Sequence, residues 1–248
     1  MKNPFRFGFC VAALLAVTPG RLAAQQPRQL YRATLVQAAP GRLLEVIELI
    51  KQRSAVERNA GEPDTWILRH SQGDHWDLLV LTAIGGYAEY FGADRDSKRQ
   101  KAYTEAGFEP ARLRAAIAWQ EDVFVWGPPA LELSQAFVTG GLFHAEMFHA
   151  LPGSQAGLRR QREMENVYLE QLARPKNFIF TRDMGAAWDL FTLGVYRDLK
   201  HYAETVDIPQ DKQEAAARTA GFQSVAQIGP YLRTFIRSHH DTLGSRVE

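Results

Sequence analysis

His144 and Glu146 stand two residues apart in the stretch LFHAEMFHA. That mixture of polar residues and β-formers reads as a strand, on which residues i and i+2 share a face. An imidazole beside a carboxylate can hold a metal ion, ligate haem, or act as a general base whose ring the carboxylate orients. The bland alternative is a structural ion pair with Arg32 or Arg182, because buried charge needs a partner. Two ligands on one strand make no metal site by themselves, and His70, His149, His239 and His240 are the candidates to join them. No metal is assigned on this basis, and haem or a metal ion stays a cofactor that no motif specifies. Trp76 and Trp188 form a second set, each followed by Asp. They either wall the mouth of a ligand cavity or close one end of a sheet, with the Asp bonded to turn amides. The candidates are therefore His144 and Glu146 for catalysis, and Arg32, Trp76, Arg182 and Trp188 for ligand contact. No Gly-rich phosphate loop or Gly-x-Ser-x-Gly elbow is present, and the single cysteine is Cys10. His144 and His149 lie too far apart for a His-Glu-x-x-His metal helix.

The elements that must position these residues come from a duplication. GDHWDLLVLT begins at Gly73 and GAAWDLFTLG at Gly185, 112 positions later. The same offset pairs Ala33 with Ala145, Pro40-Gly41 with Pro152-Gly153, Ile67 with Ile179 and Tyr90 with Tyr202. EAGFE and TAGFQ align at an offset of 114, so one loop gained two residues. Each copy reads as a strand ended by Pro-Gly, then a helix with apolar residues at helical spacing, such as Leu43, Val46, Ile47 and Ile50. Ser154 is a natural N-cap for the second copy's helix. A hairpin, charged helical material and a last strand follow, in the order β-α-β-β-α-β of the ferredoxin-like unit. The first repeat covers 30–127, a Pro- and Gly-interrupted linker covers 128–141, and the second repeat covers 142–240.

A four-stranded sheet with helices on one side leaves its other face bare. The expected fold is α+β: two tandem ferredoxin-like repeats packed sheet to sheet as an intramolecular α+β barrel. The all-apolar set Tyr31, Ala33, Leu35 and its counterpart Phe143, Ala145, Met147 suits packing on helices. That choice points Arg32 and, opposite it, His144 and Glu146 into the barrel.

With this layout the chain resembles the dimeric α+β barrel superfamily in a fused tandem form. That group includes antibiotic-biosynthesis monooxygenase-like domains, haem-degrading monooxygenases, stress-response barrels and the chlorite dismutase group. The resemblance rests on topology and repeat. The Asn-Trp-His set of the haem-degrading group has no match at corresponding positions, so the resemblance implies a fold and transfers no site residue. It implies a barrel acting on a small hydrophobic or aromatic molecule in its cavity, with cofactor-light monooxygenase- or isomerase-like activity. The alternative is a non-catalytic ligand-binding or stress-associated barrel. A third reading has the interior filled by Phe148, Phe178, Phe180 and Trp188, with function on the surface.

Residues 1–24 read as a cleavable signal peptide: Lys2 and Arg6, an apolar run from Phe7 to Val17, and small residues at Ala23 and Ala24. The expected location is periplasmic or secreted. Removing Lys2, Arg6 and Arg21 from 29 basic residues leaves 26 against 28 acidic ones and no cysteine. That balance argues against a nucleic-acid partner and excludes disulfides. No membrane span is expected after cleavage, a small hydrophobic molecule is the expected partner, and homo-oligomerisation stays open.

Overall fold

The computed structural model describes residues 28–185 and 188–247. The leader expected over 1–24 lies outside them. The first repeat runs β1 (Gln29–Ala38), α1 (Leu43–Asn59), β2 (Thr65–Gln72), β3 (Leu78–Ala83), α2 (Tyr87–Tyr90), α3 (Ala93–Glu105), α4 (Pro110–Ala116) and β4 (Ile117–Gly127). Helix α5 (Ala130–Thr139) links it to the second repeat. That repeat runs β5 (Leu142–Ala150), α6 (Gln155–Gln171), β6 (Phe178–Met184), β7 (Leu190–Tyr196), α7 (Leu199–Ala203), α8 (Gln210–Thr219), α9 (Ile228–Arg233) and β8 (Ile236–Arg246). Strand β8 thus continues past the boundary read at 240. Ser154 does precede α6, but its side chain makes no capping bond.

The eight strands close into one antiparallel barrel in the order β1-β3-β2-β8-β5-β7-β6-β4. The two sheets face each other across the interior and join edge to edge at two seams, β2–β8 and β4–β6. Closure removes the free edges that would otherwise invite pairing with other chains.

The sides of the strands are the reverse of those expected. Tyr31, Ala33 and Leu35 of β1 and Phe143, Ala145 and Met147 of β5 point into the barrel and belong to its central core. A closed barrel of eight strands is just wide enough for side chains to fill, so the dry space is the interior and the all-apolar set goes there. Small residues among large ones let the two sheets interdigitate, which is the use made of Ala33 and Ala145. Phe180 stacks on Phe191 with ring centroids 4.3 Å apart, and Tyr31 meets Phe180 edge-on at 5.5 Å. Leu133 and Phe137 of α5 join the same core. The linker is therefore a helix that closes the barrel, with Phe137 against Phe143 at 4.6 Å.

The repeated Gly…Trp-Asp motif serves this closure. Gly73 meets the backbone of β8 at one seam and Gly185 meets β4 at the other. Trp76 and Trp188 fill the barrel, 1% and 4% exposed. Asp77 and Asp189 accept bonds from the amides of Ala38 and Ala150, each at 2.8 Å, where β1 and β5 end. The partner is thus the neighbouring strand and not the turn. An amide bond to a charged acceptor contributes about 1.5–3 kcal/mol, so Asp77→Ala should lower unfolding free energy by that amount in a urea titration.

Candidate functional site

His144 and Glu146 lie on the outer face of β5, beneath α6 and α7, and not in the barrel. Their neighbour Phe148 shares that outer face, where it packs with Leu158 of α6. Arg32 occupies the matching outer position on β1, diametrically across the ring, 3.9 Å from Asp122 and over the Tyr90 ring at 5.7 Å. Arg182 bonds Asp189 at 2.7 Å at the end of β6. Trp76 and Trp188 pack inside. The six sequence candidates therefore do not form one site, and His144 with Glu146 is the pair the fold keeps together.

The residues that complete the outer site come from α6, α7, β7 and β8. Glu146 Oε2 accepts bonds from Thr192 Oγ1 at 2.9 Å and from Arg162 Nη1 at 3.2 Å. Arg162 also bonds Glu165 and Gln161 and lies over the Phe148 ring at 4.9 Å. It is 3% exposed. His144 Nε2 is 3.3 Å from Asp241 Oδ1, and His239 Nε2 is 3.2 Å from Asp241 Oδ2. The Tyr202 ring stands edge-on to His144 at 5.4 Å. Asp241 is half exposed, at 51%, so the site opens to solvent on that side.

Charge sets the protonation of this cluster. Burial works against the His144 imidazolium. The bond to Asp241 and the charges of Glu146, Asp241 and Glu165 outweigh it, so the pKa of His144 is raised. Asp241 is lowered, mainly by His144, with burial opposing. Glu165 is raised because burial and the Glu146 charge exceed the help it gets from Arg162. Burial lifts Tyr196, which packs on Tyr202 at 5.0 Å, to about 12.

The repeat shows what is particular here. In the first half, α1 and α4 seal the sheet with one continuous apolar cluster that includes Val36, Ile50 and Val80. At the offset of 112 their counterparts are Phe148, Arg162 and Thr192, while Thr34 becomes Glu146 and Arg53 becomes Glu165. The first half has a second, smaller cluster of Leu30, Ile84 and Tyr90, and the second half also has two, with the polar network beside them. Sequence reading singles out neither Arg162 nor Glu165, and it takes the His239-His240-Asp241 run near the C-terminus as solvated. The signal that could have found Asp241 is strand pairing. Thr34 lies opposite Asp122 in β1–β4, and Glu146 lies opposite Asp241 in β5–β8.

No family model and no curated protein matches this sequence. Solved structures do share the architecture. An anthrone oxidase-like protein superposes with a TM-score of 0.52 at 9% identity, covering 89% of this chain and 92% of that one. A provisionally assigned monooxygenase from Lactobacillus acidophilus gives 0.51 at 8% identity, over 89% and 94%. Another from Fusobacterium nucleatum gives 0.51 at 7%, over 89% and 93%. Such likeness defines the fold: a dimeric α+β barrel, here built from two ferredoxin-like halves of a single chain. Among the described residues no helix is long and apolar enough to cross a membrane.

Proposed function

We propose that this protein acts on a small hydrophobic or aromatic molecule in monooxygenase-like chemistry, at the outer site of its second half and not in the barrel. The observation that carries this reading is the divergence of the two copies. Two of these framework positions are apolar in the first half, where Ile50 and Val80 stand in for Arg162 and Thr192, and Thr34 and Arg53 become the carboxylates Glu146 and Glu165 near His144 in the second. Buried charge of that kind is a weak means of stabilisation, which favours retention for a task. The oxidase and monooxygenase names of the fold neighbours suggest the reaction class by analogy. Tyr202, backed by the buried Tyr196, supplies an aromatic ring beside His144, and Asp241 marks the open side.

Oxygen uptake and product masses measured with a panel of polycyclic ketones and phenols test the reading. The expected result is turnover that is lost in His144→Ala and retained in Arg32→Ala, the equivalent change in the first half. Binding without product, still dependent on His144, reduces the protein to a ligand-binding barrel. Turnover or binding indifferent to both changes removes the outer site from consideration.

A further inference from the structure

We propose that His144, Glu146 and Asp241 bind one first-row divalent metal ion, such as Mn2+ or Zn2+. This rests on the outer-site reading and names the cofactor class of that site. The three side chains each present a ligand atom, and these atoms lie within 4.8 Å of one another. An ion about 2.1 Å from each donor needs donors about 3–4 Å apart, and rotation of the half-exposed Asp241 closes that difference. One imidazole with two carboxylates suits Mn2+, Fe2+ or Zn2+ better than Mg2+ or Ca2+, which prefer oxygen throughout.

Two further observations point the same way. Glu146 and Asp241 are direct cross-strand partners on one face of the sheet. Like charges so placed repel unless a cation stands with them. In the first half the matching pair is Thr34 and Asp122, with Oγ1 donating to the carboxylate at 2.5 Å, and the cation is built in as Arg32. The second half has lost that arginine and gained a carboxylate; its Arg162 pairs with Glu146 and Glu165 from α6, and the Asp241 side is met by His144 and His239. The donors are also held from behind. Thr192 and Arg162 fix Glu146, and His239 meets the outer oxygen of Asp241. Such supporting bonds are what orients metal ligands. On binding, His144 contributes its Nε2 lone pair and the proton it shares with Asp241 leaves to solvent, while waters fill the positions on the open side.

Calorimetric titration of the chelator-treated full chain with Zn2+ and with Mn2+, and the Mn2+ spin resonance signal, test this. One ion per chain is expected, with affinity falling at least about tenfold in Asp241→Asn. Asp122→Asn, the same change in the first half, should leave binding unaltered. Asp241 is the deciding position because its exposure lets the variant fold. Absence of binding up to millimolar ion, or equal affinity in Asp241→Asn and wild type, overturns the proposal. If His144→Ala abolishes turnover while wild type binds no ion, the metal is wrong and the outer site stands. If an Asp241-dependent ion binds but turnover ignores His144→Ala, the metal stands and the outer-site reading falls.

Discussion

Replacing Arg162 with isoleucine should destabilise the protein by about 3–5 kcal/mol, although isoleucine is what the first repeat carries at the same position. Arg162 is the shared partner of Glu146 on β5 and of Glu165 on its own helix α6, and all three lie between that helix and the sheet. Removing that guanidinium leaves two carboxylates facing each other in a place that water reaches poorly, and the unpaired charge dominates the loss. The cost should vanish when the carboxylates go too. Glu146→Thr, Arg162→Ile, Glu165→Leu and Thr192→Val together approximate the sealed interface of the first half. A well-packed apolar replacement of a buried ion network is neutral or stabilising, so the fourfold variant should lie within about 1 kcal/mol of wild type or above it. Urea unfolding of the single and fourfold variants decides the matter. A fourfold variant as weak as Arg162→Ile would mean that the network holds the second half together, and the argument that it is kept for function would fail. The fourfold variant should also lose the outer site's activity and its ion while keeping its fold, which near-ultraviolet dichroism reports.

The second large effect belongs to a glycine. Gly73→Ala should remove at least about 3 kcal/mol, well beyond the usual effect of a single substitution. A Cβ at this position would lie 2.2 Å from the carbonyl oxygen of Asp241 and 2.6 Å from Cα of Thr242, and both obstacles are backbone. The φ of +131° adds strain, since only glycine enters that region at little cost. The two backbones must therefore separate at the β2–β8 seam. Gly185, the same residue of the second motif, has φ of +96° and its nearest obstacle at 2.8 Å, so Gly185→Ala should be damaging but milder. Hydrogen exchange offers a local reading: amides of β8 around Thr242 and Gly244 should exchange faster in Gly73→Ala than in Gly185→Ala. Equal protection in the two variants would show that the seam is soft and the close approach unimportant. Because Asp241 sits on this seam, Gly73→Ala should also weaken ion binding at the outer site.

The repeat, the order of elements in each half and the barrel were legible in the sequence because they rest on spacing. Trp76 and Trp188, Asp77 and Asp189, and Gly73 and Gly185 repeat at one offset, and a duplicated motif of that kind needs a duplicated place in the fold. The side on which His144 points was misread for a physical reason. Alternation along a strand separates two faces without saying which is dry. In most sheets covered by helices the apolar face meets the helices, whereas here the closed interior claims Tyr31, Ala33, Leu35 and their counterparts. The face left over is covered in the second half by a helix that brings its own counter-charge, Arg162. Nothing in GLRRQREMENVYLE distinguishes that arginine from its solvated neighbours Arg159 and Arg160, because pairing across elements is a property of three dimensions. The linker holds a helix that the sequence reading did not describe. Pro128, Pro129, Gly140 and Gly141 bracket a helix, and its Leu133 and Phe137 are recognisable as core residues only once the barrel has an end to close.

Both seams join strands of one polypeptide, and this has a consequence for how the two outer sites can change. When a barrel of this kind is assembled from identical subunits, every mutation appears on both sides of the symmetry axis, and each site must tolerate whatever the other acquires. Covalent fusion removes that restriction. An arginine at position 32 and a histidine at position 144 are two answers to one inherited position, reached independently because each half now has its own stretch of coding sequence. One half can remain a sealed scaffold while the other tests new side chains, under a shared core that neither has to rebuild.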